Sequence, residues 1–147
     1  MEKMASPPIE QAFYPVWTEE RVRFADTDMF GHVNHAAVVT LFEIGRGGMA
    51  SSPAAKASLP PGATPVVRVL NVEYLGELRY PAQVRIGLRI ARMGRSSYVV
   101  EQLILNDNRP VATASLIYVM ADLGNGRSVQ LTEEFRGYLE TMASPSK

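Results

Sequence analysis

The clearest pattern in this sequence is a strict alternation of apolar and polar residues over residues 82–90. Successive side chains of a strand point to opposite faces, so a period of two predicts a strand with one buried face. Residues 106–109 (NDNR) then predict a tight hairpin turn between two further strands. The runs predicted as the other strands are 14–24, 66–74, 97–105 and 111–120.

Residues 35 to about 50 show a different pattern and predict the main helix. This segment is apolar on most sides, with only a narrow polar stripe of Thr40, Glu43 and Arg46 at spacing three. A helix so apolar is usually buried on more than one face. Its second half contains the glycines Gly45, Gly47 and Gly48. Each costs about 1 kcal/mol relative to alanine in a helix interior, which suggests close packing or early fraying.

Three segments are predicted to lie outside this framework. Residues 1–13, with two prolines, predict a loose leader, and the Pro-, Ser- and Ala-rich residues 51–65 predict a long surface connection. Residues 131–142 predict a short amphipathic terminal helix. The order of elements predicts a single domain over residues 1–147. Its class is α+β, with a curved antiparallel five-stranded sheet wrapped around one long central helix.

Composition narrows the classes of function. The 147 residues fit one domain, and 15 basic side chains balance 15 acidic ones, so no strong field favours nucleic acid or a membrane surface. The absence of cysteine and the presence of only two histidines argue against thiolate chemistry and a metal centre. No apolar run approaches the roughly 20 residues of a membrane helix, and the start lacks a secretory signal, so we expect a cytoplasmic protein.

Residues 23–35 read RFADTDMFGHVNH, and residues 42–46 read FEIGR. Together they resemble the signature of hot-dog-fold acyl-CoA thioesterases of the 4-hydroxybenzoyl-CoA thioesterase type. In that family an acidic D-x-D loop leads into a central helix that ends in F-E-x-x-R. The resemblance extends over most of the chain and implies the hot-dog fold. It also implies hydrolysis of an acyl-CoA or acyl-carrier-protein thioester.

The resemblance further implies roles for individual residues. Asp28 matches the catalytic acid, which acts as a nucleophile or as a general base on water, and Asp26 matches a supporting acid. Backbone amides from Gly31 to Asn34 would polarise the thioester carbonyl. No cofactor or metal is implied. Family members are homodimers or homotetramers with sites at subunit interfaces.

Elementary chemistry agrees with these roles. Thioester hydrolysis builds negative charge on the carbonyl oxygen, and a helix N-terminus offers unpaired N–H donors where that charge develops. One preorganised donor lowers the barrier by about 3 kcal/mol. Gly31 carries no side chain, so a thioester can approach the backbone closely.

Other residues are expected to contact the substrate. His35 replaces the second asparagine of the family motif and is expected to orient a water or bond the thioester. His32, Val33 and Asn34 are assigned to substrate binding, although His32 as a structural residue and Asn34 as the helix N-cap are open alternatives. The residues expected to meet the coenzyme A phosphates, with a solvated basic turn as the alternative, are Arg92, Arg95 and Ser96.

Competing interpretations exist for the acids. Asp28 is also suited to an Asx turn or a helix cap, and the pair Asp26 and Asp28 to a Mg²⁺ site, although no further acid lies in the loop. Glu43 is a rival catalytic acid, although an ion pair with Arg46 on the helix surface is the simpler expectation.

Two other functions suit the same fold. One is a dehydratase or hydratase acting on acyl thioesters, which needs an acid and a histidine as a dyad. The spacing from Asp28 to His32 differs from the hydratase motif. The other is a non-catalytic acyl-CoA-binding domain.

Overall fold

Five antiparallel strands form one sheet in the computed structural model, which describes residues 5–143 except for the side chain at position 50. Their order across the sheet is β1-β3-β4-β5-β2, so the chain crosses the sheet between its first and second strands. The predicted antiparallel five-stranded sheet is confirmed. The strands are β1 (Val16–Arg21), β2 (Ala63–Tyr74), β3 (Gln83–Met93), β4 (Ser97–Asn106) and β5 (Arg109–Asp122).

The alternating pattern of β3 predicts one buried face, and the structure confirms it. Its apolar residues from Val84 to Ile90 lie on the concave face and are at most 3% exposed. The β4–β5 hairpin closes through Asp107 and Asn108, which both have positive φ, at 51° and 62°. This backbone matches the right-handed twist of the two strands, and asparagine and aspartate tolerate it better than most residues.

The central helix α1 (His35–Ser51) packs across the concave face of the sheet. Val38, Leu41 and Phe42 are each at most 3% exposed and join the sheet in one core. Close approach of helix and sheet requires Gly45, because a Cβ there would meet Ile86 Cγ2 at 2.5 Å. The predicted arrangement of a sheet wrapped around one helix is therefore confirmed.

The predicted connection over residues 51–65 is wrong in its first part, where a helix forms, and in its last three residues, which belong to β2. This second helix, α2 (Pro53–Ser58), has Ser52 as its N-cap, whose hydroxyl accepts a bond from the Ala55 amide at 3.1 Å. Serine followed by proline is favoured at a helix start, since the cap accepts an amide and proline lacks one. The abundance of alanine then extends the helix.

The segment before β1 covers the convex face of the sheet. The Tyr14 hydroxyl donates to the Pro8 carbonyl at 2.7 Å, and a 3₁₀ turn forms over Gln11–Phe13. Tyr14 packs with Leu103 and Leu105 in a small second core. The prediction of a loose leader is therefore wrong for residues 5–13, which pack on the sheet. Residues 1–4 lie outside the described range.

The last helix, α3 (Glu133–Glu140), is shorter than predicted but keeps the predicted apolar side. Thr132 caps it by accepting the Phe135 amide at 3.1 Å. Its buried side chains, with those that flank it, are Leu131, Phe135, Leu139 and Met142. Within residues 5–143, no helix has the length and apolar character needed to span a membrane.

Candidate active site

The acidic motif forms a tight loop that leads directly into α1. Thr27 and Val33 pair across it as an antiparallel bridge, and the Asp28 amide donates to the His32 carbonyl at 2.8 Å. Gly31 closes the loop with a φ of +82°, a conformation that side chains disfavour. Glycine is therefore required at this position by the backbone itself.

Asp28 is half-buried in this loop, and its two carboxylate oxygens have different surroundings. Oδ1 accepts hydrogen bonds from the Phe30 amide at 2.8 Å and from the His32 amide at 3.2 Å. Oδ2 has no hydrogen-bond partner within residues 5–143. The Asx turn expected as an alternative is thus present, and it holds the carboxylate in one orientation with one oxygen free.

Asp26 is buried and anchors the loop. Its side chain accepts bonds from the Arg23 amide at 2.8 Å and from the Arg23 guanidinium at 2.9 Å. The hydrogen bond from the Arg23 side chain is the main reason that the pKa of Asp26 is lowered. The Asp26 carbonyl also accepts the Asn34 amide at 2.7 Å. These bonds give Asp26 a supporting position, with both oxygens occupied.

The amides between Gly31 and Asn34 already have acceptors inside the chain. Gly31 donates to the Asp28 carbonyl at 3.2 Å, and Val33 donates to the Leu78 carbonyl at 2.7 Å. Asn34 caps the helix by accepting the Ala36 amide at 2.7 Å. The described residues provide no acceptor for the amides of the first and third helical residues, His35 and Ala37. The free donors therefore lie slightly later in the chain than the motif suggests.

His32 belongs to a small charged cluster beside the loop. Its Nε2 lies 2.9 Å from Arg79 Nη2 and 3.3 Å from Glu77 Oε1. Arg79 Nη1 is also 4.0 Å from where a Cβ of Gly31 would stand. Sequence reasoning missed Arg79 because it lies 47 positions after His32, outside the motif. The bridge between His32 and Arg79 and the bond from the Val33 amide to the Leu78 carbonyl bring it to the loop.

His35 starts α1, and its side chain is exposed. Its imidazole makes no hydrogen bond to other residues in the described part of the chain, while its carbonyl accepts the Tyr74 hydroxyl at 2.9 Å. The motif thus places Asp28, Gly31 and His35 in one loop and helix start, together with His32, Val33 and Asn34.

The predicted phosphate-binding residues lie elsewhere. Arg92 is near the end of β3, and Arg95 and Ser96 follow in the next turn. The Asp28 loop is attached beside Leu78, just before β3 begins. A strand rises about 3.3 Å per residue, so the two regions are about 30 Å apart along the strand. Within one chain, these residues are not brought to Asp28.

The alternatives for the acids fare differently. The predicted ion pair of Glu43 and Arg46 is wrong, because Arg46 turns inward and bonds the Tyr118 hydroxyl at 2.7 Å and Gln102 Oε1 at 3.0 Å. Glu43 stays exposed. No group of three or more metal-ligating side chains that could hold a metal occurs within residues 5–143.

A surface depression of about 380 Å³ opens beside the loop. His32 and Val33 form one wall of it, and Val38 in the first part of α1 forms another. Leu75 and Leu78 contribute apolar surface from the segment after β2. Asp28 does not line this depression itself. The loop that carries Asp28 does, so a substrate placed there lies against the start of the central helix.

Known proteins share this fold. The PA5185 protein of Pseudomonas aeruginosa matches with a TM-score of 0.80 and 21% identity over 93% of this chain and 97% of its own. A Thermus thermophilus thioesterase complexed with coenzyme A and Zn matches with a TM-score of 0.73 and 28% identity over 88% and 95%. The uncharacterized Bacillus subtilis protein YsmA is 28% identical over 114 residues, 77% of each chain.

The family comparison covers four of the five strands, the central helix and most of the terminal helix. The model of the thioesterase-like superfamily matches residues 22–139, a range that includes the Asp28 loop and all but the first strand of the sheet in full. On this match the chain belongs to the thioesterase-like superfamily, with its hot-dog fold.

Proposed function

We propose that this protein hydrolyses an acyl-CoA or acyl-carrier-protein thioester, with Asp28 as the catalytic carboxylate. Membership of the thioesterase-like superfamily supports thioester hydrolysis in general. The observation that carries the residue assignment is the asymmetric Asp28 carboxylate. Two amides hold one of its oxygens while the other remains free, directly ahead of the buried helix.

The reaction needs a nucleophile and a site for the oxyanion. In the general-base form, the free Asp28 oxygen takes a proton from water, and the resulting hydroxide bonds to the carbonyl carbon. The carbon–sulfur bond then breaks, and the departing thiolate takes the proton that Asp28 removed from water. In the nucleophilic form, the same oxygen bonds the carbon, expels the thiolate and gives an anhydride that water cleaves. We assign the amides of His35 and Ala37 to the oxyanion, since a helix start favours negative charge.

Two regions are candidates for the phosphates of coenzyme A, which the Thermus thermophilus relative binds. Arg79 and Arg109 share a surface depression of about 590 Å³ near the Asp28 loop. Arg92, Arg95 and Ser96, at the far end of β3, reach an Asp28 site only if a second copy of the chain supplies them. Guanidinium groups suit phosphate because their planar fork donates two parallel bonds.

We also propose that the active protein is a homodimer or homotetramer. Met29 and Phe30 at the tip of the Asp28 loop are 89% and 73% exposed. A carboxylate gains reactivity when solvent is excluded from it, and a single chain leaves this tip uncovered. A second copy packed on the loop would supply that cover.

The decisive experiment is the Asp28→Asn substitution, which keeps the shape of the turn because an amide oxygen can still accept both backbone bonds. We expect kcat to fall by about a hundredfold or more, the scale of a positioned general base. Release of free thiol from short, long and aromatic acyl-CoAs measures the rate. The aromatic member tests the 4-hydroxybenzoyl-CoA type.

Glu140→Gln at the end of α3 is the control, because it removes an exposed carboxylate that lies outside the Asp28 loop and the depression of Arg79, and it should leave kcat unchanged. Full turnover in a folded Asp28→Asn protein would refute the assignment and direct attention to Glu43. Addition of water to an enoyl thioester without thiol release would favour the hydratase alternative. Binding of acyl-CoA without any turnover by the wild type would favour a non-catalytic binding domain.

A further inference from the structure

A second cavity lies at the opposite end of α1 from the Asp28 loop. It has a volume of about 340 Å³ and is lined by the second half of α1, by α2 and α3, and by the sheet. Asn34 and Arg46 are 12 residues apart in sequence, so the helix rise separates the cavity from the helix start by about 18 Å. The side chains that matter here are Arg46, Met49, Leu59, Tyr98, Tyr118 and Phe135.

Arg46 brings a charge to the wall of this cavity. The residue is 8% exposed, and its two bonded partners, the Tyr118 hydroxyl and Gln102, are both neutral. No ion pair found within residues 5–143 includes it. An arginine keeps its charge in proteins, and a buried charge is normally paired with an opposite one. The guanidinium therefore lacks a counter-charge inside the chain.

The free donor of Arg46 is its Nη2 group, which makes no hydrogen bond to any described residue. No buried side-chain polar atom that is closed to solvent lacks a partner in the described part of the chain. Nη2 must therefore keep some accessible surface, and Arg46 borders the cavity. Glu43 also borders the cavity, but it is exposed and forms no bond to the guanidinium.

Tyr98 provides a second unused donor. It is 1% exposed, borders the cavity and stacks on Tyr118 with ring centres 5.2 Å apart. No hydrogen bond joins its hydroxyl to another residue within 5–143, so this oxygen, like Arg46 Nη2, keeps some accessible surface. Burial raises the pKa of Tyr98, so the hydroxyl remains a neutral donor. A hydroxyl at the wall of a cavity can donate a hydrogen bond to an acceptor that lies in it.

We propose that this cavity binds a small, largely apolar carboxylic acid in its ionised form. The carboxylate pairs with Arg46 and accepts a hydrogen bond from Tyr98, and the apolar tail lies against Met49, Leu59 and Phe135. A single cation in an apolar cavity suits one negative charge better than the two of a phosphate group. This site is separate from the Asp28 loop, and the proposal does not depend on thioester hydrolysis.

The test is a titration of the Asp28→Asn protein with octanoate. The heat of binding and the NMR chemical shifts of the protein are measured at each addition. This variant avoids any contribution from turnover. We expect saturable binding of one octanoate per chain, and binding of octan-1-ol, which has the same tail without the charge, at least about tenfold weaker. Added to the same background, Arg46→Gln should weaken octanoate binding about tenfold or more, and Tyr98→Phe several-fold.

Arg68→Gln in β2 is the matched control, because it removes an exposed arginine outside the cavity and should leave the affinity unchanged. Equal affinity for octan-1-ol and octanoate would overturn the proposal. Unaltered octanoate binding in Tyr98→Phe, which removes only one oxygen, would also overturn it. If circular dichroism shows that Arg46→Gln does not fold, Tyr98→Phe alone tests the proposal. Absence of thioesterase activity in the wild type would refute the proposed function, but it would not change the interpretation of octanoate binding.

Discussion

Arg79 is the residue whose position most changes the picture of substrate binding. It contacts His32, lies close to Gly31 and shares a depression with Arg109. Arg95, in the turn before β4, has the same charge but lies at the far end of the sheet, where its carbonyl accepts the Leu131 amide. The two arginines therefore represent two different paths for the coenzyme A phosphates.

We expect Arg79→Gln to raise KM for acyl-CoA several-fold, because a charge-assisted bond to phosphate is lost. KM for an acyl N-acetylcysteamine thioester, which carries no phosphate, should not change. Steady-state kinetics with both substrates separates phosphate binding from positioning of the loop, which would lower kcat for both. A rise in KM in Arg95→Gln alone would instead place the phosphates on residues from a second copy. Arg127→Gln in the loop after β5 is the control.

At the scale of elements, the packing of α1 on the sheet depends on one glycine. A Cβ at Gly45 would meet Ile86 at 2.5 Å and Gln102 Nε2 at 3.0 Å, whereas a Cβ at Gly48 meets nothing within 4 Å. Gln102 is also the residue that bonds the Phe42 carbonyl and Arg46. A side chain at Gly45 would therefore displace Gln102 and disturb its bonds to α1.

The two glycines predict opposite effects of the same substitution. Gly45→Ala should lower the free energy of unfolding by about 1–3 kcal/mol, the usual cost of overpacking a core. Gly48→Ala should raise it by up to about 1 kcal/mol, because alanine is the better helix former and has room there. Urea unfolding of both variants measures the difference. A gain in stability in Gly45→Ala would show that helix and sheet separate easily.

At the scale of the whole molecule, β2 is an exposed edge of the sheet. β5 pairs with it on one side, no other strand formed by residues 5–143 pairs with it, and Val66, Val67 and Leu70 are 44%, 47% and 38% exposed. An apolar edge strand with unpaired backbone groups is a template for pairing with another chain. Self-association through β2 would cover this strand, and we expect this contact, in addition to one at the tip of the Asp28 loop, to hold the proposed assembly together.

We therefore expect the wild type to sediment as a dimer or tetramer. The double variant Val66→Lys with Leu70→Lys should shift it to monomer, since charges on an edge strand oppose pairing. Leu123→Lys is the control, because Leu123 is 69% exposed but lies in the loop after β5. A monomeric wild type at tens of micromolar, or a double variant that stays associated, would contradict assembly through β2.

Sequence reasoning succeeded wherever one face of an element is buried. The alternation in β3 and the apolar segment of α1 report their faces locally, because side-chain direction follows the period of the backbone. The D-x-D loop was recognisable because the bonds within it join residues at most eight positions apart, such as Asp28 to His32 and Asp26 to Asn34. The α2 helix was missed because alanine and proline also occur in connections.

The sequence alone determined the sheet, the central helix and the acidic loop, because each is encoded by neighbouring residues. Only the tertiary structure decided which groups meet. Arg46 bonds Tyr118 across 72 positions, and Arg79 reaches His32 across 47. No local pattern specifies such contacts, since they depend on how the strands stack and where the helix crosses them. For the same reason, the sequence does not predict the cavity at Arg46, because its walls come from the sheet and from all three helices.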